Sequence, residues 1–297
     1  MRFSPLFILL FLFSCQSQKP MIELGGATIT VPNPPNMVQL DGNLFMDRTE
    51  MSNFDWREYE YWIKDVFGEG SEEHLAVLPD TTVWQTPEGE PIQPLIDQYF
   101  RHPAYDTHPV VGISHAQAEA YARWRSSRVT EVMLLEKGYL KEAPPRSPEG
   151  YFDIDFWLNG ERDYKIAGAE AILVSRFELP ELVQLEQARQ KMHFPKGQDE
   201  PVGIQHCVLY KQYIPGCDDC ANLPIQTFTQ KRLFDFQHLI GNVAEMTDEP
   251  GIATGGSWAH SLEDAMIGRE IAYEVPTSWL GFRCVAKWEK VRFESAR

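Results

Sequence analysis

Three stretches of this chain carry apolar residues at helical spacing. Trp56, Tyr59 and Ile63 recur within Phe54–Val66, which predicts a helix with those side chains on its core face. Ser52 or Asn53 is placed to cap it, and Asp55 falls in the first turn, where the helix dipole favours an acid. Ala120, Tyr121 and Trp124 mark a second helix, opened by Ser114 and Gln117 as a capping box and continued through Glu136. A third follows Phe177-Glu178-Leu179, with Pro180 suited to its first turn and Leu182, Val183 and Leu185 as its apolar side. Between Phe67 and Tyr105 the pattern is irregular, apart from a short helix expected at Gln93–Tyr99. Alternation is rarer, and Gly25–Val31 is the clear case for a short strand.

Past residue 240 regular period gives out. Gly241-Asn242-Val243-Ala244-Glu245-Met246, then Gly255-Gly256-Ser257-Trp258, then Leu280-Gly281-Phe282-Arg283-Cys284 set glycines beside rings and one acid. Glycine tolerates positive φ and close backbone approach, so these pieces predict irregular, turn-rich structure around buried aromatics.

The N-terminus has a separate character. Met1-Arg2, the apolar run Pro5–Phe13 and Leu12-Phe13-Ser14-Cys15 form a secretory signal too short to span a membrane. The Leu-x-Ser-Cys ending resembles a bacterial lipobox, which implies a lipidated Cys15 as the new N-terminus and a firm anchor without a spanning helix. Polar, proline-rich residues up to Met37 suit a tether. The expected organisation is a signal peptide at 1–14, lipidated cysteine and tether at 15–37, and one domain at 38–290. The expected address is a bacterial cell envelope, at the outer membrane facing the periplasm.

Composition narrows the classes. With 43% hydrophobic and 12% aromatic residues the chain has ample core material. Its net charge of -16 disfavours nucleic acid, which draws on excess Lys and Arg. Four cysteines follow Cys15, namely Cys207, Cys217, Cys220 and Cys284, and they allow three pairings. Cys217-x-x-Cys220 lacks the second pair of a zinc site, so one or two structural disulfides are the expectation outside the cytoplasm.

The order Gly-Asn-Val-x-Glu, Gly-Gly-Ser-Trp, Gly-Phe-Arg resembles the formylglycine-generating-enzyme (sulfatase-modifying-factor) family. Two further stretches carry the same resemblance: Thr49-Glu50-Met51-Ser52-Asn53 before the first helix, and His108-Pro109-Val110-Val111 before Ser114. The resemblance implies an α+β, C-type-lectin-like fold, loop-rich and low in regular structure. About fifty residues intervene before Leu179-Pro180-Glu181, and residues 126–176 read as an insertion within the domain. Trp124-Arg125-Ser126-Ser127-Arg128-Val129-Thr130-Glu131-Val132, followed by Phe152-Asp153-Ile154-Asp155-Phe156, resembles one subgroup. That subgroup is the gliding-motility and type IX secretion lipoproteins of Bacteroidetes, of the gliding motility lipoprotein J type.

The family's oxidases bind copper through two cysteines after the Gly-Gly-Ser turn. Here those positions fall on His260 and Ala265, so no copper is expected and catalysis of that kind is not. The family's calcium site implies Gly241, Val243 and Glu245 as oxygen ligands, but His238 stands where an oxygen donor is needed. The alternative is Glu245 hydrogen-bonding buried backbone. Cys284 matches a cysteine that pairs in some relatives with one at the position of Ala122 here, so that bridge is absent. Arg283 and Asn242 are expected to tie loops together by charge-assisted hydrogen bonds.

Three functions follow. The favoured one is a non-catalytic, membrane-anchored binding or structural component of an envelope assembly, with protein partners there. The second is an enzyme with altered, non-copper chemistry. The third is a lectin-like module with a C-terminal cleft lined by Trp258, His260, Tyr273 and Trp279.

Overall fold

One antiparallel sheet joins the early part of the chain to its last strand. The computed structural model describes residues 19–86, 88–164, 166, 171–191 and 236–292. Strands β1 (Met21–Leu24) and β2 (Ala27–Thr30) form a hairpin, and β3 (Met37–Asp41) and β4 (Leu44–Asp47) a second. Then come helices α1 (Asn53–Phe67), α2 (Glu72–Ala76), α3 (Gln93–Gln98), α4 (His115–Glu136) and α5 (Ile154–Leu158). Strand β5 (Ala171–Glu178) leads into α6 (Leu182–Gln190). The C-terminal part holds β6 (Ala244–Met246), β7 (Ile252–Thr254), β8 (Glu270–Ala272), β9 (Leu280–Gly281) and β10 (Val285–Arg292).

The larger sheet has the order β3-β4-β10-β5, with Val285 opposite both Met46 and Glu178. A smaller sheet, β8-β7-β6-β9, pairs β6 with β9 in parallel. The result is an α+β arrangement of helices, short sheets and loops, with no closed barrel among the described residues.

Caps set the helix starts. Ser52 Oγ accepts from Asp55 N at 3.2 Å while Asp55 Oδ2 accepts from Ser52 N at 3.0 Å, so Ser52 rather than Asn53 caps α1. Ser114 and Gln117 do the same for α4, which runs unbroken for 22 residues to Glu136. Trp56, Tyr59 and Ile63 face inward as their spacing predicts. Trp56 stacks on Tyr121 of α4 at 5.5 Å and meets Phe282 edge-on at 6.0 Å. These rings pin both helices to the glycine-rich C-terminal segment. Ser126 Oγ accepts from Phe177 N at 2.8 Å and donates to Ala122 O at 2.9 Å, joining α4 to β5. The presumed insertion 126–176 therefore supplies half of α4 and most of an edge strand.

Several expectations are corrected. The stretch assigned to a tether contains the β1–β2 hairpin, and Ile22 and Val31 are buried in the main core, because their apolar side chains find partners there. Pro180 lies before α6, whose cap is Glu181. Val183 is 61% exposed whereas Leu185 is buried. Residues two apart on a helix point about 200° apart and cannot share one face. Helix α2 was not foreseen, although Ser71 caps it by accepting from His74 N.

Candidate functional site

The three C-terminal motifs meet around a buried set of charges. Strand β6 sets Glu245 opposite Thr254 on one side and Gly281 on the other. Trp258 N donates to Asn242 O at 2.9 Å, and Gly241 N to Gly255 O at 2.8 Å. Gly255 and Gly256 have φ of +93° and +68°. A Cβ on Gly256 would lie 2.5 Å from that of Ala265, and one on Gly255 would lie 2.9 Å from Arg189 Nη2. Only glycine admits both the conformation and the approach.

Arg283 is fully buried at the centre and makes five hydrogen bonds. Its Nε and Nη2 both donate to Glu245 Oε1, the former at 2.8 Å. The remaining three go to the carbonyls of Asp47, Arg48 and Gln237. Beside it, Glu50 is also fully buried; Asn242 Nδ2 donates to both its oxygens, at 3.1 and 2.9 Å, and Val243 N to Oε1 at 3.4 Å. Burial holds the Glu50 carboxyl well above the usual carboxylate range; Arg283 opposes the shift and Glu245 adds to it. Arg189 of α6 reaches in from the other side, donating to Leu239 O at 2.8 Å and Thr254 Oγ1 at 3.0 Å. Burial lowers its pKa to about 10, against the pull of Glu245. Asn242 and Arg283 thus tie loops together, as expected of them.

The calcium expectation can be tested against this set. Two carboxylates, Glu50 and Glu245, face two guanidiniums, Arg189 and Arg283, and Glu50 is pushed toward its neutral form. A divalent cation would add two uncompensated positive charges to a buried core, which is expensive. Glu245 Oε2 is buried without a hydrogen-bond partner, but its other oxygen is committed to Arg283. The position for which the resemblance implies an oxygen donor carries His238, whose imidazole suits a hard cation poorly. The donors present fit a guanidinium and do not fit calcium.

At the positions of the oxidase cysteines, His260 Nδ1 lies 2.6 Å from Ser257 Oγ, and its ring meets Trp279 edge-on at 4.7 Å. Burial lowers the His260 pKa, with Asp264 opposing the shift. Ser257 is fully buried. Ala265 is buried against Gly256. The four cleft candidates are half-buried packing residues. Trp258 stacks on Trp84 and donates to Ser278 O at 3.1 Å, while Tyr273 and Trp279 pack against the main core.

Cys284 is a buried free thiol, its pKa pushed up to about 12 by burial and by Asp47. Its backbone N donates to Asp47, whose carboxylate is gripped by Arg125 at 2.7 and 2.9 Å. Cys15, Cys207, Cys217 and Cys220 lie outside the described residues. Sequence reasoning missed Arg189 and the roles of Glu50 and Asp47. Glu50 stood in a quoted motif, but only the tertiary fold brings it beside Asn242, 192 positions away.

The family model for the sulfatase-modifying factor enzyme 1-like domain matches residues 15–288. Similar solved structures include PvdO from Pseudomonas aeruginosa, at 13% identity over 82% of this chain and 80% of that one, with a TM-score of 0.44. Treponema denticola variable protein 1 shares 15% identity over 91% of this chain and 99% of its own, with a TM-score of 0.42. CarF shares 14% over 82% and 86%, with a TM-score of 0.38. No curated protein matches the sequence. The chain that folds around the buried Glu245–Arg283 pair in this α+β arrangement thus belongs to the sulfatase-modifying-factor (formylglycine-generating-enzyme) family.

Proposed function

We propose that the protein is a non-catalytic member of this family, held at a bacterial membrane by acyl chains on Cys15. In that reading it is a binding or structural component of an envelope assembly of the gliding-motility and type IX secretion type. The observation that carries the reading is the pair of substitutions at the oxidase positions. His260 is engaged by Ser257 and Trp279, and Ala265 is packed on Gly256, so no thiol pair stands there to hold copper. Half-burial of Trp258, Tyr273 and Trp279 within packed clusters favours this over a lectin-like C-terminal cleft. The charge balance around Glu245 favours a domain that needs no calcium there.

The test has two parts. Purified protein is given copper and a cysteine-containing peptide, and oxygen uptake is followed. No uptake above that of free copper is expected, and stoichiometric uptake with aldehyde product sinks the non-catalytic reading. Separately, Cys15→Ser is expected to move the protein from the membrane fraction to the soluble one. Unchanged fractionation would sink the lipid anchor.

A further inference from the structure

The outer face of α1 carries charges that read the same from either end, with their signs exchanged. Residues three, four and seven apart share one face of a helix, so Phe54, Arg57, Glu58, Tyr61, Lys64 and Asp65 form a single stripe. Phe54 is 50% exposed on it and Tyr61 61% exposed. Both line a depression of about 860 Å³ between α1 and α4, together with the exposed Val132 and the half-buried Leu135. Large apolar side chains gathered around one concave surface mark a place where another molecule docks.

The spacing of the charges says which molecule. Glu58 and Lys64 stand three residues either side of Tyr61, and Arg57 and Asp65 four residues either side. A second α1 laid antiparallel across a two-fold axis through Tyr61 sets each residue opposite the one equally far past the axis. Glu58 then meets the partner's Lys64, and Lys64 the partner's Glu58. Neither has an ion pair among the described residues, and Lys64 Nζ lies 6.0 Å from the centre of the Tyr61 ring. Arg57 and Asp65 also fall opposite one another. Each already has a partner in its own copy, Asp106 and Arg146, so these two add only an absence of repulsion.

Helix α4 completes the surface. Trp56 stacks on Tyr121, while Trp62 meets Trp124 and, at 4.4 Å, the Arg128 guanidinium, so α1 and α4 run in the same sense. Val132 and Leu135 follow Arg128, toward the end of α1 where Arg146 pairs with Asp65. Phe54 stands seven residues before Tyr61, and Gly68 seven after it. The two-fold arrangement therefore brings the partner's Phe54 to the end of α1, on the side of Val132 and Leu135.

Overall charge also favours a second copy at this face. The chain has 27 basic against 43 acidic residues and repels its own copies over most of its surface, whereas the depression is lined by five Lys or Arg against four acids. An unrelated partner gives no reason for charges placed symmetrically about one ring.

We infer that the protein forms a two-fold homodimer through α1 and α4. Tyr61 lies on the axis, Glu58 and Lys64 pair across it, and Phe54 of each copy seats against Val132 and Leu135 of the other. The inference goes beyond the proposed function and needs neither the acyl anchor nor the absence of catalysis.

The test is sedimentation equilibrium of the full chain in a density-matched detergent. A reversible dimer is expected, with a dissociation constant on the order of micromolar. Glu58→Lys or Lys64→Glu turns two attractive pairs into two repulsive ones and is expected to weaken the dimer about tenfold. An equimolar mixture of these two variants restores opposite charges at both crossings, so it is expected to associate about as tightly as the wild type. The double variant alone is expected to do the same. Tyr61→Glu is expected to leave a monomer. All three positions lie on the outer face of α1, so the variants keep the fold, which circular dichroism checks. A monomer throughout would overturn the inference and leave this face to a different protein. A dimer unmoved by the single charge reversals, or association that mixing does not restore, would overturn it as well. Oxygen uptake would instead overturn the proposed function and leave the dimer result standing.

Discussion

Replacing Arg283 with Met retains an apolar stem of similar shape and removes the guanidinium. Glu245 Oε1 then loses both donors, and the carbonyls of Asp47, Arg48 and Gln237 lose theirs, all in a region shut off from water. Breaking a buried pair from one side costs about 3–5 kcal/mol, because a charge is left without compensation. For a chain of this size that corresponds to a fall in Tm on the order of 10 °C. Urea titration followed by tryptophan fluorescence and far-ultraviolet circular dichroism reads the loss directly, provided the two transitions coincide. The double variant Arg283→Met with Glu245→Met removes both charges and is expected to recover about 1–3 kcal/mol of the single-variant loss. A loss under about 1 kcal/mol, additive with Glu245→Met, would refute the claim that Arg283 neutralises this core.

Three further expectations follow from the same region. Glu50 in the native protein has a folded pKa well above its ordinary 4.5, so its contribution to stability is fully present below that value and is lost as pH rises through the folded pKa. Glu50→Gln should flatten that fall in a urea-midpoint series, and an unchanged slope would remove Glu50 as its source. Gly256→Ala combines a φ of +68° with a 2.5 Å approach to Ala265 and is expected to cost about 1–3 kcal/mol, with Ala265→Gly relieving only part of it. Chelation with EGTA, or addition of millimolar calcium, is expected to leave the thermal midpoint where it was. A calcium-dependent rise would show that the charge argument at Glu245 fails.

What local sequence determined here is what local physics decides. Ser52 with Asp55 and Ser114 with Gln117 close hydrogen bonds three residues apart, so both caps and helices could be read off the chain. The inward positions of Trp56, Tyr59 and Tyr121 follow from helical spacing alone. The glycine-ring motifs carried the family, because close approaches such as that of Gly256 to Ala265 leave no other residue. Tertiary structure decided the partners. Glu50 meets Asn242, Asp47 meets Arg125, and Arg189 reaches Thr254 across separations of 192, 78 and 65 positions. No local period records such distances. Alternation marked one strand of the β1–β2 hairpin at Gly25–Val31, but the stretch around it read as a tether; it is drawn into the fold because the core offers Ile22 and Val31 an apolar surface.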